Sequence, residues 1–217
     1  MKRFEGKVVL IPGGNSGIGK ATSLAFAKEG AKVVIAARRE NLGHEAVQEI
    51  TKNRGEAIFI KTDVSIQAEV ENLFNKVIDH YGRLDIAFNN AGVGGPMNRL
   101  VRQTMENWDL VINTNLRGVW LCLKQEIQQM LKQGGGAIVN TASTAGISGS
   151  PGAAIYSASK HGVLGLTKSA AADYDPYAGR RVYGEAGHER GLSFHSAYGE
   201  VWRARGDCRR RIMALFR

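Results

Sequence analysis

The stretch YSASK, residues 156–160, places a phenol and an ammonium group four positions apart. Residues at this spacing share one face of a helix, so Tyr156 and Lys160 can meet there. A free tyrosine has a pKa of about 10, so it exchanges protons near neutral pH only when a nearby positive charge lowers that pKa. With Lys160 as that charge, Tyr156 is a candidate general acid and base. The spacing alone is weak evidence, because a surface tyrosine beside a solvated lysine gives the same pattern.

A glycine-rich loop, GGNSGIG, lies between a β-branched run at 7–12 and a helical pattern. Glycine lets a diphosphate approach the main chain, and the amide groups at a helix N-terminus favour its negative charge. The placement between a strand and a helix favours a dinucleotide site over a loop that only needs glycine for its turn. The candidate cofactor-binding residues of this loop are Gly13, Asn15, Ser16, Gly17, Ile18 and Gly19.

Strand and helix patterns alternate along the first 175 residues. Runs rich in Val and Ile, separated by helices, are typical of right-handed βαβ units and a parallel sheet buried on both faces. The fold class predicted is α/β, a doubly wound parallel sheet of Rossmann type, with about five to six strands and helices on both faces. Ligands bind such sheets beyond the carboxyl ends of the strands. The predicted strands are 7–12, 32–37, 56–64, 84–92 and about 134–143, and the predicted helices include 40–53, 68–82, 106–132 and 153–175.

Further short motifs follow the glycine loop in a fixed order. They are DV at 63–64, NNAG at 89–92, NTNLRG at 113–118 and Ser143 before YSASK. With these motifs the chain resembles the classical short-chain dehydrogenase/reductase family from residue 7 to about 175. Pro12 departs from the family pattern, which usually has threonine before the first glycine. The resemblance implies a nicotinamide cofactor, an oxidoreductase acting on CH–OH groups, and a homo-oligomer (dimer or tetramer).

The resemblance also implies roles for individual residues. Ser143 would orient the substrate oxygen, Asn115 would help hold a water linked to Lys160, and Lys160 would also bind the nicotinamide ribose. Asp63 and Val64 would flank the adenine. Asn89, Ala91 and Gly92 would lie on the adenosine side of the cleft. The predicted catalytic residues are thus Asn115, Ser143, Tyr156 and Lys160, of which Tyr156 and Lys160 also contact the cofactor.

The end of the second predicted strand bears on the form of the nicotinamide cofactor. An acidic residue there would bind the ribose 2′-hydroxyl of NAD. This chain has Ala37 instead, followed by Arg38 and Arg39, and guanidinium groups favour a 2′-phosphate. The sequence therefore predicts NADP as the preferred cofactor, with Arg38 as its phosphate ligand. NAD stays possible, because both arginines could simply be solvated.

The segment 143–154 would line the substrate side and has small residues but no charged group. It predicts a small neutral alcohol or carbonyl substrate without identifying one. The predicted function is hydride transfer between NADP(H) or NAD(H) and such a substrate, with Tyr156 as general acid and base. The alternative is a non-catalytic dinucleotide-binding protein or an inactive frameshifted product.

The composition bears on the cellular location of the protein and on its partners. No apolar run reaches the length of a membrane span, and the five-residue apolar run near the N-terminus is too short for a signal peptide. The two cysteines, Cys122 and Cys208, fit neither a disulfide framework nor a metal cluster, so we expect no metal, no membrane partner and a cytoplasmic location.

The basic charge is concentrated near the C-terminus. The chain carries a formal net charge of +9, and residues 180–217 hold nine arginines, no lysine and four acidic residues. The excess does not lie along the main domain, so no nucleic-acid partner is predicted. We interpret 1–179 as the dinucleotide-binding and catalytic domain, and 180–217 as an atypical Arg-rich tail, for which disorder is one interpretation.

A frameshift would explain that tail, because the codons for 184–188 read one base later can encode Val-Lys-Pro-Gly-Met, close to the family's Pro-Gly pattern. In that case the last strands of the sheet would be missing. A genuinely divergent tail is the alternative.

Overall fold

A single parallel sheet forms the centre of the computed structural model, which describes residues 2–174 and 193–196. Its strand order is β3-β2-β1-β4-β5-β6, and every neighbouring pair is parallel. The predicted doubly wound α/β fold is therefore confirmed. The strands are β1 (Val8–Pro12), β2 (Lys32–Ala37), β3 (Glu56–Lys61), β4 (Ile86–Asn89), β5 (Ala137–Asn140) and β6 (Ser193–Ser196).

Helices cover both faces of this sheet. Residues of α1 and α2 pack on one face, and residues of α3, α5 and α6 pack on the other. None of the helices in the described part of the chain is both long and apolar enough to cross a membrane. The helices are α1 (Gly17–Lys28), α2 (Glu40–Lys52), α3 (Gln67–Tyr81), α4 (Met105–Ile112), α5 (Gly118–Gln133) and α6 (Ala154–Asp173).

Strand β1 shows how the sequence pattern generates the two cores. All five of its residues are buried. Val8 and Leu10 belong to the core on the α3, α5 and α6 side, whereas Val9 and Ile11 belong to the core on the α1 and α2 side. Successive side chains on a strand point to opposite faces, so a continuous apolar run fits only a strand covered on both sides. Full burial of each such side chain contributes about 1.5–3 kcal/mol.

Strands β4 and β5 are shorter at both ends than the predicted 84–92 and 134–143, and two further element boundaries differ in ways that bear on the cleft. Strand β3 ends at Lys61, not at 64, because the backbone N–H of Asp63 donates to the Glu69 carboxylate (2.7 Å) and the chain turns out of the sheet. The long helix predicted at 106–132 is divided into α4 and α5 by a π-helical segment, Asn113–Arg117. Both departures place motif residues at the carboxyl edge of the sheet.

The segment predicted as an atypical tail contains the sixth strand. The backbone of β6 pairs in parallel with β5, from Ser193 opposite Ala137 to Ser196 opposite Asn140. The rest of the predicted tail, 180–192 and 197–217, lies outside the described residues. The predictions of disorder and of a frameshift concern these residues, so they stay predictions.

Candidate active site

A cleft of about 350 Å³ opens at the carboxyl ends of β1 to β4. Between β1 and β4 the strand order changes direction, which is the switch point where ligands bind in open α/β sheets. Eight of the predicted cofactor-binding residues line the cleft: Gly13, Asn15, Ser16, Arg38, Asp63, Val64, Ala91 and Gly92. The structure therefore brings together residues that four separate strand ends supply.

Gly13 and Gly19 of the glycine loop stand where a Cβ atom would collide with backbone. Gly13 has a φ of +78°, and a Cβ there would lie 2.8 Å from the backbone N and Cα of Ala91. A Cβ on Gly19 would collide with the carbonyl of Gly13. Larger residues would push the loop away from β4 and close the floor of the cleft.

The N-terminus of α1 follows directly from this loop. Its N-cap residue, Ser16, makes no side-chain capping hydrogen bond, and the first turn contains no acidic residue. The first backbone N–H groups of α1 are therefore without a side-chain acceptor, as a diphosphate site requires. Gly17 and Ile18 begin the helix, and Ile18 is exposed.

Two arginines form the rim of the cleft beyond β2. The Arg38 guanidinium lies 3.8 Å from the Asp63 carboxylate, and both side chains are partly exposed. Arg39 donates to the Ser16 hydroxyl (2.9 Å), and its carbonyl accepts from the Asn15 amide (3.2 Å). Both guanidinium groups border the same cleft, so its β2 side is electropositive.

Asn89 lies apart from the other predicted cofactor-binding residues. Its side chain is buried and donates to the Glu126 carboxyl group and to the Asn140 side-chain oxygen, both at 2.9 Å. Asn140 in turn donates to the Thr167 hydroxyl. These contacts join β4, β5, α5 and α6 inside the core, and burial raises the pKa of Glu126 to about 8. The structure therefore gives Asn89 contacts within the core and not with the cleft.

The cleft also has lining residues that were not predicted. Asn90 and Thr114 belong to the NNAG and NTNLRG motifs, which carried the signal, whereas Ala36, Thr62 and Val93 could be anticipated only as neighbours of strand ends. Their positions follow from the loops that leave the sheet.

The Tyr156–Lys160 pair lies on the first two turns of α6. Lys160 is buried, its ammonium donates to the carbonyl of Thr141 (2.8 Å), and it lies 5.8 Å from the centroid of the Tyr156 ring. Burial lowers the pKa of Lys160 to about 8. Tyr156 is only partly buried, so its phenol stays accessible. The predicted shared face is therefore present in the structure.

Asn115 lies in the π-helical segment and is fully buried. Its side chain exchanges two 2.8 Å hydrogen bonds with the backbone N–H and C=O of Val93, and it also donates to the Ser159 hydroxyl (3.2 Å). A Cβ placed on Gly92 would lie 3.3 Å from the Asn115 oxygen and 3.8 Å from the Lys160 ammonium. Asn115 and Lys160 thus both lie next to Gly92, which lines the cleft.

Ser143 comes just after β5 and begins a single 3₁₀ turn at Thr144–Gly146. Its hydroxyl accepts from the Ala145 N–H (3.2 Å) and retains its own O–H for another acceptor. A Cβ on Gly146 would lie 2.9 Å from the carbonyl of Lys160, so this turn packs directly on α6. Of the four predicted catalytic residues, Asn115 and Lys160 thus lie next to the cleft-lining Gly92, Tyr156 lies one turn before Lys160, and the turn that Ser143 begins packs on the Lys160 backbone.

No group of three or more His, Cys, Asp or Glu residues among those that the structure describes could hold a metal ion.

Comparisons with known proteins agree with this geometry. The family model "short chain dehydrogenase" matches residues 7–183. A 3beta-hydroxysteroid dehydrogenase of Mediterraneibacter gnavus is 42% identical over 174 residues, which are 80% of this chain and 63% of that protein. The chain therefore spans somewhat less than two thirds of that relative's length.

Two solved structures show the same fold with different cofactors. A Burkholderia phymatum short-chain dehydrogenase/reductase in complex with NAD has a TM-score of 0.79 and 34% identity, covering 90% of this chain and 66% of that one. An actinorhodin polyketide ketoreductase variant with NADPH has a TM-score of 0.79 and 35% identity, covering 90% and 70%. By its family match, its fold and its relatives, the chain belongs to the short-chain dehydrogenase family.

Proposed function

We propose that this protein transfers a hydride between a nicotinamide dinucleotide and a neutral alcohol or carbonyl substrate. The observation that carries the proposal is the Tyr156–Lys160 pair, whose ammonium lies next to Gly92 of the cleft lining. Membership of the short-chain dehydrogenase family and the dehydrogenase relative support it.

The bound nicotinamide would supply or accept the hydride, and the protein would place the substrate and move the proton. In carbonyl reduction, the Tyr156 O–H donates its proton to the substrate oxygen, and in alcohol oxidation the tyrosinate removes it. The Lys160 ammonium stabilises the tyrosinate form. Ser143 donates to the same substrate oxygen as negative charge develops there. Asn115 keeps the Val93 backbone beside Lys160.

The cofactor would extend from the glycine loop to Lys160. Gly13, Asn15, Ser16, Gly17, Ile18 and Gly19 would hold the diphosphate, and Asp63, Val64, Ala91 and Gly92 would border the adenosine. Asn89 would support this wall from the core. NADP is our preferred form, because Arg38 and Arg39 border the cleft and β2 ends in Ala37 and not in an acid. NAD is the alternative, since Asp63 competes with a phosphate for Arg38.

We propose a neutral small-molecule substrate, because 143–154 contains no charged residue and the M. gnavus relative is named for a hydroxysteroid, a neutral alcohol. A cytoplasmic homo-oligomer is the assembly we favour. The exposed side chains of Trp108 on α4 and Trp120 on α5 support this assembly, because a second copy of the chain would cover their apolar surface.

The first test replaces Tyr156 with phenylalanine, which removes one oxygen atom. We expect turnover of a panel of secondary alcohols, including cyclohexanol, to fall by a factor of about 10³ or more, because the proton has no other carrier. Quenching of tryptophan fluorescence should show NADPH affinity within about twofold of the wild type. Tyr174→Phe, at the exposed end of α6, is the matched control and should leave turnover unchanged.

Full activity of the Tyr156→Phe variant on any substrate would contradict the assignment. Binding of NADPH by the wild type, without turnover of any alcohol or ketone in the panel, would instead select a non-catalytic dinucleotide-binding protein.

A further inference from the structure

We propose that Gln103 is a positioning residue that fixes the start of α6 and thereby the place of Tyr156. This inference rests on the proposed function, since it concerns the same site. The side-chain amide nitrogen of Gln103 donates to two backbone carbonyls, those of Asn98 (2.9 Å) and Gly152 (3.2 Å). The first belongs to the loop after β4, and the second to the turn that precedes α6.

The other end of the Gln103 side chain is held by α4. Its amide oxygen accepts a hydrogen bond from the Asn107 side chain. Asn107 is buried in the first turn of α4, where its backbone N–H donates to the capping Thr104 hydroxyl, and its side chain also donates to the Pro96 carbonyl (3.4 Å). One partly buried glutamine thus joins a loop, a helix and a turn.

The turn before α6 needs such support because the helix lacks a capping side chain. Its N-cap residue is Ala153, which has no hydrogen-bonding group to satisfy the first N–H groups. The turn is held through its own backbone: the Gly152 carbonyl accepts hydrogen bonds from the Asn98 backbone N–H (2.8 Å) and from the Gln103 side chain. Tyr156 lies in the first turn that follows, so its phenol moves with any tilt of this turn.

The loop that Gln103 holds is also attached to the site at its other end. There Asn115 binds the backbone of Val93 through two hydrogen bonds. Residues 93–103 therefore connect the buried amide beside Lys160 to the turn that carries Tyr156. A displacement of about 1 Å at a reacting group can lower a rate about 100-fold, so a contact remote from the chemistry can control it.

The test replaces Gln103 with methionine, which has a similar length but cannot make the three hydrogen bonds. Its matched control is Gln133→Met. Gln133 bridges backbone groups in the same way, donating to the carbonyls of Leu84 (2.6 Å) and Gly135 (3.1 Å), but at the amino ends of the strands. Gln103→Glu, which keeps the shape and the acceptor but loses both donors to carbonyls, is the second variant if the methionine variant does not fold.

We expect the Gln103 variants to lower kcat for cyclohexanol oxidation by about tenfold or more, with the Kd for NADPH within about twofold of the wild type. Hydrogen exchange by mass spectrometry should be faster at 153–158 in these variants. Gln133→Met should lower Tm without changing kcat or that exchange. An unchanged exchange rate at 153–158, or an unchanged kcat, would overturn the inference.

The two proposals fail in different ways. If Tyr156→Phe stays active, the proposed function is wrong, and the exchange at 153–158 still judges whether Gln103 holds the turn. If Tyr156→Phe is inactive and the Gln103 variants keep a normal kcat, only the positioning role of Gln103 is wrong.

Discussion

Lys160 lowers the free energy of unfolding at neutral pH and also takes part in the proposed reaction. Its ammonium is buried and, within the described part of the chain, donates one hydrogen bond, to the Thr141 carbonyl. Burial lowers its pKa from 10.5 to about 8, so between these values the unfolded chain binds more protons than the folded one. The contribution of this group to the free energy of unfolding therefore rises with pH across that window. At pH 7 the folded protein carries a buried charge that opposes folding.

We therefore expect Lys160→Met to lower turnover by about 100-fold or more while Tm at pH 7 is unchanged or higher. Calorimetry and steady-state kinetics measure the two effects on the same preparation. Lys76→Met, at an exposed position of α3, should change neither. A large decrease in Tm for Lys160→Met would show that the hydrogen bond to Thr141 outweighs the buried charge.

Arg38 makes the proposed cofactor preference testable. Its partly exposed guanidinium lies 3.8 Å from Asp63, a separation at which a 2′-phosphate can compete for it. Arg38→Ala should weaken NADPH binding by roughly tenfold or more, since a charge-assisted hydrogen bond contributes about 1.5–3 kcal/mol, and should leave NADH within about twofold. Lys52→Ala removes the same charge from the far end of α2 and controls for the change in net charge. Equal weakening of both cofactors in Arg38→Ala would exclude Arg38 as the phosphate ligand.

Residue types and spacing predicted some of these contacts and not others. A four-residue separation places Tyr156 and Lys160 on one helix face, and the structure has that arrangement. The acceptor for Lys160 is a backbone carbonyl, which every residue type possesses, so no pattern could indicate it. The contact between Gln103 and Gly152 was also unpredictable, because the two residues are 49 positions apart.

At the scale of elements, apolar runs predicted the strands well because a buried parallel strand has no polar face. Strand β2 has the predicted bounds, 32–37. Strands β4 and β5 are each several residues shorter than predicted, and in two other places a side chain overrides the local pattern. Glu69 binds the backbone of Asp63 and ends β3 early, and the inward-facing Asn115 accompanies a π-helical segment in what the pattern predicts as continuous helix.

At the scale of the whole molecule, the sheet order follows from the alternation of strands and helices together with right-handed crossovers. The polar network inside the core does not follow from that alternation. Glu126 occupies a position of α5 that faces the sheet, where an apolar residue is expected, and it is fully buried beside Asn89. One of its carboxyl oxygens has no hydrogen-bond partner among the described residues.

This network predicts how global stability depends on pH. Burial raises the pKa of Glu126 from 4.5 to about 8, so the folded chain binds more protons between these values. The stability from this group is complete below pH 4.5 and is lost as the pH rises through about 8. Relative to the wild type, Glu126→Gln should therefore gain about 2–4 kcal/mol in unfolding free energy between pH 5 and pH 9, as measured by urea denaturation. Glu45→Gln, on the exposed side of α2, is the control, and its unfolding free energy should depend on pH as that of the wild type does. If the curve for Glu126→Gln also ran parallel to the wild-type curve, Glu126 would not be protonated in the folded protein.

The π-helical segment that holds Asn115 has a consequence for the helix after it. A π turn contains about one residue more than an α turn, and one residue corresponds to about 100° of rotation around a helix axis. The five residues at 113–117 therefore act as a single-residue insertion that sets which side of the sixteen-residue α5 faces the sheet. Deletion of one codon here would rotate Cys122 and Glu126 out of the core together. An insertion or deletion of one residue in this stretch would thus change which residues along the whole of α5 face the sheet, whereas a substitution would change one side chain.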